Sequence, residues 1–97
     1  MMVLITYDIN VTGIGGHKRL RHISKACLDY GLRVQHSVFE CEITPAQWVD
    51  LRSDLLSIYD ESIDSLRFYM LGANWQHRVE HHGAKASPDL GKDPLIL

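Results

Sequence analysis

The chain has 97 residues, of which 45% are hydrophobic and 23% are charged, and its formal net charge at pH 7 is −2. A chain of this length forms one small domain with a thin core, and the composition is typical of a folded protein. No apolar run approaches the roughly 18 to 20 residues of a membrane span, and the first residues lack the pattern of a signal peptide. We therefore expect a cytoplasmic protein that has no membrane partner.

The small net charge conceals an uneven distribution along the chain. Residues 17–36 carry a net charge of +4 and three histidines, whereas residues 40–64 carry a net charge of −6. Because Lys and Arg make most phosphate contacts, the overall charge argues against a nucleic-acid-binding protein, but the first segment favours one. The folded domain should present one basic and one acidic face.

The first predicted elements are a strand and a helix. Residues 2–8 alternate in a β-branched-rich run that predicts a largely buried strand, which Asp8 closes. Apolar residues then recur at the spacing of an amphipathic helix, and Gly31 is expected to end it as a C′ glycine. These apolar residues are Leu20, Ile23, Cys27 and Tyr30. The same spacing predicts a basic stripe away from the core, formed by Lys18, Arg21, His22 and Lys25.

The second half of the chain predicts a helix between strands. Residues 33–43 are rich in Val, Phe and Ile but contain no Gly, Pro or Asn, so they form either one bent strand or two strands joined by an unrecognised turn. Residues 44–47 read Thr-Pro-Ala-Gln, which predicts a capping box at the start of a second amphipathic helix. Residues 65–71 alternate as another strand, and residues 78–82 favour a short one.

These elements predict a fold class. With two strands in residues 33–43, the order is βαββαβ, which is the ferredoxin-like α+β arrangement with both helices on one face of an antiparallel sheet. We assign residues 1–82 to this domain and residues 83–97 to a C-terminal loop with a short additional strand. The uncovered sheet face would be half apolar, which favours a symmetric homodimer.

Asp8 allows two interpretations. A strand-end aspartate often caps the following turn or helix, but a carboxylate in this position can also hold a divalent metal ion. Phosphodiester hydrolysis with Mg²⁺ generally needs more than one oxygen ligand, and no second carboxylate lies near Asp8 in the sequence. An isologous dimer would supply the missing ligand by bringing Asp8 and its symmetry mate to the two-fold axis.

Three further features point to structural roles. The glycine loop at residues 13–16 matches no phosphate-binding motif, so a turn that passes close to a ligand or partner, or else a flexible hinge, explains it better. Cys27 and Cys41 are too far apart for a CxxC site and are expected to be buried thiols. The histidines that lie closest together lack the cysteines of a structural zinc site, so exposed imidazoles are expected. They are His77, His81 and His82.

Four segments of the chain resemble one known family. They are VLITYD, GGHKRLRHISKACLDYG, RVQHSVFEC and SLRFYMLG, in this order. Together they are similar to the small CRISPR-associated protein that is the second core protein of the spacer-acquisition machinery. The similarity extends over nearly the whole chain, and the tail GAKASPDLGKDPLIL resembles members that accompany type I-C systems.

The resemblance implies a ferredoxin-like homodimer that is a metal-dependent endonuclease acting on single-stranded RNA or double-stranded DNA. The metal-binding aspartate of the family, with Mg²⁺ or Mn²⁺, corresponds to Asp8, and Tyr7 lies beside it as a second catalytic residue. The basic stripe and the resemblance together predict the nucleic-acid-binding residues Lys18, Arg19, Arg21, Lys25 and Arg33. The implied supporting residues are Ser37 and Phe39.

The resemblance also implies a role as a scaffold. In that role the dimer bridges two dimers of the CRISPR integrase, holds the incoming DNA, and docks through its C-terminal strand. The docking residues would be Pro94, Leu95, Ile96 and Leu97. An enzyme and a nucleic-acid-binding scaffold are therefore two hypotheses on one fold. A generic ferredoxin-like regulatory or toxin-type domain is the third.

Overall fold

A computed structural model of the chain describes residues 1–72 together with residues 74, 77, 80 and 82. Four strands and two helices lie in this part of the chain, in the order βαββαβ that the sequence predicts. They are β1 (Met2–Asp8), α1 (Gly16–Leu28), β2 (Leu32–Gln35), β3 (Val38–Glu42), α2 (Pro45–Ile58) and β4 (Ser65–Gly72). The predicted strand at residues 78–82 falls largely outside the described residues, and the loop and strand at residues 83–97 fall entirely outside them.

The four strands form one antiparallel sheet in the order β2-β3-β1-β4. In the centre of the sheet, Ile5 of β1 pairs with Phe39 of β3 on one side and with Phe68 of β4 on the other. The buried side chains of both helices belong to the same core as Val3 and Ile5, so both helices cover one face. This confirms the predicted ferredoxin-like arrangement, and neither helix covers the other face of the sheet, which we call the open face.

Residues 33–43 form a hairpin of two strands. β2 and β3 are joined through His36 and Ser37, and the pairing shifts register between Arg33 and Gln35. Neither residue at the turn has a positive φ. Two-residue turns with positive φ select Gly or Asn, whereas this hairpin adjusts its register with a bulge. The turn therefore lacks the residue types that would have marked it in the sequence.

The start of α2 follows the predicted capping box. The Thr44 side-chain hydroxyl accepts a hydrogen bond from the backbone N–H of Gln47 at 3.2 Å, and the Gln47 side-chain oxygen accepts one from the backbone N–H of Thr44 at 2.9 Å. Pro45 occupies the first turn, where its missing N–H costs no intrahelical bond. These contacts satisfy the donors that an isolated helix end would leave open.

The glycine loop before α1 allows a close backbone approach. Gly15 is the N-cap residue and has a φ of 76°, in the left-handed region that glycine tolerates best. A Cβ on Gly16 would lie 2.3 Å from the carbonyl oxygen of Asn10, so a side chain cannot fit there. Glycine at position 16 is required by this approach within the chain, and the expected approach to a ligand or partner stays a prediction.

The prediction that Gly31 ends α1 as a C′ glycine is wrong. α1 ends at Leu28 with Asp29 as its C-cap, and Gly31 does not have the positive φ of a C′ glycine. A Cβ on Gly31 would lie 2.5 Å from the sulfur of Cys41. Glycine is needed at this position because the chain passes close to β3.

The core between the sheet and the helices contains both cysteines. Cys27 and Cys41 are free thiols with no exposed surface, as the sequence predicts. Burial raises the pKa of each thiol to about 12, which keeps both neutral and unreactive. Among the described residues, neither helix is long and apolar enough to cross a membrane.

Candidate functional site

The alternation of side chains along β1 separates its last two residues. Tyr7 is buried with 6% of its surface exposed, whereas Asp8 is exposed. Successive side chains of a strand point to opposite faces of the sheet. Tyr7 therefore lies on the face covered by the helices, here the helix face, and Asp8 lies with Leu4 and Thr6 on the open face. The structure does not bring the two predicted catalytic side chains together.

The Asp8 carboxylate makes no hydrogen bond or ion pair with residues 1–72. Capping of the turn after β1 falls to Asn10, whose side-chain oxygen accepts the backbone N–H of Thr12 at 3.0 Å. The capping interpretation of Asp8 therefore finds no support in the hydrogen bonds. An exposed carboxylate without a partner at the rim of a sheet is free to bind a ligand.

A second aspartate, Asp64, has the opposite environment. It directly precedes β4, and its side chain has no exposed surface. Arg19 Nε donates to its carboxylate at 2.7 Å, and the backbone N–H groups of Asn10 and Asp60 each donate at 2.9 Å. Burial alone would raise the pKa of Asp64, but these hydrogen bonds outweigh it and lower the pKa. We call these four residues the rim brace, since they join the loops on both sides of the Asp8 edge.

Arg19 is held within the rim brace. Besides the bond to Asp64, its Nη1 donates to the carbonyl oxygen of Ile14 at 3.0 Å and its Nη2 to that of Asn10 at 3.3 Å. All three guanidinium nitrogens thus have acceptors inside the chain. The structure gives Arg19 a role in positioning the loop after β1, and its predicted contact with nucleic acid stays a prediction.

The open face combines apolar and acidic side chains with one basic side chain, Arg67. Glu40 pairs with Leu4 across β3 and β1, and with Leu32 across β3 and β2. Only 7% of its surface is exposed, and burial raises the pKa of its carboxyl. Tyr69 on β4 also pairs with Leu4 and is 40% exposed. This face is therefore apolar enough to pack against another surface.

The helix face contains a cationic groove between α1 and the β2–β3 hairpin. Its volume is about 670 Å³. The lining residues that matter most here are Tyr7, Leu20, Arg21, Lys25, Leu28 and Arg33, and we call this space the α1 groove. None of the described residues that line it is a carboxylate. Arg21 and Lys25 are exposed, as is Lys18 one helical turn earlier, so the predicted basic stripe forms one rim of the groove.

Arg33 is anchored at the base of the α1 groove. Its Nη2 donates to the hydroxyl of Ser24, and the guanidinium carbon lies 5.2 Å from the centre of the Phe39 ring. Stacking of this kind is a favourable cation–π contact. Its Nε is buried and has no hydrogen-bond partner within the described residues. A buried donor without an acceptor is unfavourable. Arg33 is therefore held in place by Ser24 and Phe39 but still has an unused hydrogen-bond donor.

Tyr7 and the two predicted supporting residues stabilise the hairpin beside Arg33. The Tyr7 hydroxyl donates to the carbonyl oxygen of His36 at 3.2 Å, and its backbone N–H donates to that of Ser37 at 3.1 Å. The Tyr7 and Phe39 rings are stacked, with centres 6.2 Å apart. Burial is the main cause of the raised pKa of Tyr7, so its hydroxyl is neutral. These contacts describe a positioning role for Tyr7.

The residues that sequence reasoning missed are the acceptors and donors around the predicted cations. Asp64 and Asn10 hold Arg19, and Ser24 holds Arg33. One weak signal was present, since Asp64 directly precedes a predicted strand and strand-flanking aspartates often accept backbone N–H groups. The pairing of Ser24 with Arg33 has no such signal because it joins a helix to a strand. The predicted docking segment, residues 94–97, lies outside the described residues.

The donors around Asp8 fit a divalent cation if a second chain contributes. Asp64 is already engaged by Arg19. Glu40 pairs with Leu4, which lies four residues before Asp8 in β1. Glu40 is therefore roughly 13 Å from Asp8 along the strand direction. Among the described residues no three His, Cys, Asp or Glu side chains form a metal-binding group. A free carboxylate is the ligand type that Mg²⁺ and Mn²⁺ prefer, and the Asp8 of a second copy would supply another.

Fold and side chains together define a class of protein. It is a small ferredoxin-like protein in which one sheet separates an exposed strand-end carboxylate from a cationic groove. The family model described as CRISPR associated protein Cas2 matches residues 1–79. The chain belongs to the CRISPR-associated Cas2 family, which confirms the resemblance found in the sequence.

Individual relatives support this assignment over the full chain. The CRISPR-associated endoribonuclease Cas2 of Chlorobaculum tepidum is 61% identical over 97 residues, covering 100% of each chain. The CRISPR-associated endonuclease Cas2 of Halalkalibacterium halodurans is 55% identical, also over 97 residues and 100% of each chain. The crystal structure of Streptococcus pyogenes Cas2 at pH 6.5 superposes with a TM-score of 0.74 at 60% identity, covering 86% of this chain and 100% of that one.

Proposed function

We propose that this protein is a CRISPR nuclease that hydrolyses phosphodiester bonds of RNA or double-stranded DNA with the help of Mg²⁺ or Mn²⁺. The observation that carries the proposal is the contrast between Asp8, which is exposed and free, and Asp64, which is buried and saturated. The names of the relatives support the activity, since they are called endoribonuclease or endonuclease.

A symmetric homodimer would complete the site. The described part of one chain offers a single free carboxylate at the rim, and an isologous pairing of open faces would bring a second Asp8 to the same axis. The apolar side chains around Leu4 and the raised pKa of the buried Glu40 carboxyl favour contact between two open faces. The dimer is therefore part of the catalytic proposal rather than an addition to it.

In this proposal each residue has a distinct task. A bound Mg²⁺ or Mn²⁺ would lower the pKa of a water molecule and compensate the charge that develops at phosphorus. Asp8 from each chain would hold the ion. Lys18, Arg21 and Lys25 would bind phosphates of the substrate strand and fix its register, since exposed cations track a nucleic-acid backbone. The rim brace would keep the Asp8 edge rigid through Arg19 and Asp64.

The proposal is tested by cleavage assays on RNA and duplex DNA with and without Mg²⁺. Asp8→Asn removes the charged ligand and should lower the rate about 100-fold or more, since losing even a hydrogen-bond partner of a metal ligand costs 10- to 100-fold. Asp50→Asn is the matched control, because Asp50 is an exposed aspartate on α2. Cleavage that is independent of Mg²⁺, or equal in the Asp8→Asn variant, would refute the proposal.

A scaffold is the second candidate function. The observation that favours it is the position of the exposed cations Lys18, Arg21 and Lys25, which lie on α1 away from the Asp8 face. Binding of nucleic acid could then persist without cleavage. An Asp8→Asn variant that still binds duplex DNA and still supports spacer acquisition would assign the biological role to the scaffold. Loss of spacer acquisition in that variant would assign it to the nuclease.

The CRISPR integrase is the proposed protein partner. This proposal rests on family membership and on the apolar end of the sequence at residues 94–97. A variant lacking these four residues should no longer co-purify with the integrase while the Asp8→Asn variant still does. Equal co-purification of both variants would show that the docking surface lies elsewhere.

A further inference from the structure

The α1 groove contains a set of side chains that suits a ligand with two chemically different parts. Arg21, Lys25 and Arg33 supply three positive charges, and no lining residue in the described part of the chain is acidic. Leu20 and Leu28 supply apolar walls. A bare anion would use only the first group, whereas an apolar molecule would use only the second.

The size of the α1 groove also suits a ligand with a charged part and an apolar part. Its volume of about 670 Å³ lies within the range of roughly 300 to 1,000 Å³ that small-molecule sites occupy. A phosphate ion would leave most of it empty. A planar base attached to a sugar and a phosphate would fill the space between the cations and the leucines.

Arg33 is arranged as a preformed anion ligand. Ser24 fixes one edge of its guanidinium and Phe39 lies against its plane, so the side chain loses little freedom on binding. Its Nη2 is held by Ser24, and its buried Nε has no acceptor among the described residues. A phosphate oxygen is the acceptor that a planar guanidinium recognises best.

We propose that the α1 groove is a binding site for a single nucleotide, with its phosphate on Arg33, Arg21 and Lys25 and its base against Leu20 and Leu28. The nucleotide is either a free nucleoside monophosphate or the phosphorylated end of a strand, which present the same chemistry. The site is separate from Asp8, because Tyr7 lines the groove and Asp8 faces the other side of the sheet. The inference therefore does not depend on nuclease activity.

The test is isothermal titration of the full-length protein with AMP, GMP, CMP and UMP, and separately with inorganic phosphate and with adenosine. Nucleoside monophosphates should bind once per chain, with at least tenfold higher affinity than either phosphate or adenosine. A 5′-phosphorylated dinucleotide and its 5′-hydroxyl form distinguish the two sources. Tight binding of the phosphorylated dinucleotide identifies strand ends as a ligand, and binding of the monophosphates alone identifies the free nucleotide.

Variants locate the binding site. Arg33→Gln should weaken binding about 10- to 100-fold, as expected for loss of a charged hydrogen bond. Since Arg33 also packs in the hairpin, Arg21→Gln and Lys25→Gln provide exposed positions that leave the fold intact. Arg52→Gln on α2 is the matched control and should bind like the wild type.

The outcomes separate this inference from the proposed function. Asp8→Asn should bind nucleotides normally, and a wild type that binds nucleotides but cleaves nothing would refute only the nuclease. No binding of nucleoside monophosphates at millimolar concentration would overturn the nucleotide site. Unchanged affinity in both Arg21→Gln and Lys25→Gln, or equal affinity for phosphate and nucleotide, would overturn it as well.

Discussion

The two faces of the sheet carry different charged groups although they share the same strands. The open face has Asp8, Glu40 and the exposed Arg67, and the helix face has the α1 groove with Arg33 at its base. Tyr7 and Asp8 are neighbours in the chain, yet the alternation of a β-strand assigns them to different faces. The comparison shows how a thin domain can keep a carboxylate suited to cations apart from a groove suited to anions. The two would otherwise neutralise each other.

Removal of Asp64 should have the largest effect on stability, because the rim brace joins the loops that border both faces. Asp64→Ala would leave Arg19 and two backbone N–H groups without their acceptor. We expect a loss of about 3 kcal/mol in the free energy of unfolding, the lower end for a broken buried ion pair, since Arg19 keeps some contact with water. Denaturation by guanidinium chloride measures this loss.

The pH dependence provides the control for Asp64. The pKa of Asp64 is lower in the folded than in the unfolded protein. Its contribution to the free energy of unfolding is therefore fully present above the unfolded pKa of about 3.9. The contribution is lost as the pH falls through the folded value. The difference between wild type and Asp64→Ala should shrink in acid, and a constant difference would mean that packing rather than charge is responsible.

Neutralising the basic stripe should moderately weaken nucleic-acid binding without altering the side chains of the open face. The double variant Lys18→Gln, Lys25→Gln removes two exposed cations from α1. The slope of log affinity against log salt for duplex DNA should fall by about two, because each phosphate contact contributes about 0.9. Binding is measured in EDTA to prevent cleavage. Arg52→Gln on α2 should leave the slope unchanged, and an equal slope in both variants would place the DNA elsewhere.

The smallest expected effect concerns Glu40 on the open face. Burial raises its pKa above the unfolded value of about 4.3, so the folded chain resists ionisation of this carboxyl. Stability is therefore lost as the pH rises from the unfolded value through the folded one. Glu40→Gln should be more stable than the wild type at pH 8 and nearly equal at pH 4. Chemical denaturation at both pH values tests this, and an advantage that does not grow with pH would contradict it.

Most of the fold was predictable from local patterns. The strand at residues 2–8, the capping box at residues 44–47 and the strand at residues 65–71 each depend on a short-range signal that the tertiary structure preserves. The hairpin turn at residues 36–37 was not predictable, because it uses a bulge instead of a positive φ. The prediction that Gly31 ends α1 failed for a similar reason, since glycine is needed there for the close contact with Cys41 and not for helix termination.

The sequence by itself determined the family, the residue types available for chemistry and the element order outside residues 33–43, because these depend on periodicity and on short motifs. Only the tertiary structure decided which carboxylate is free and which cation is engaged. Arg19 and Arg33 are both arginines of the basic segment, but a buried Asp64 saturates the first, and Ser24 with Phe39 orients the second. Partners of this kind come from distant parts of the chain, and folding alone brings them into contact.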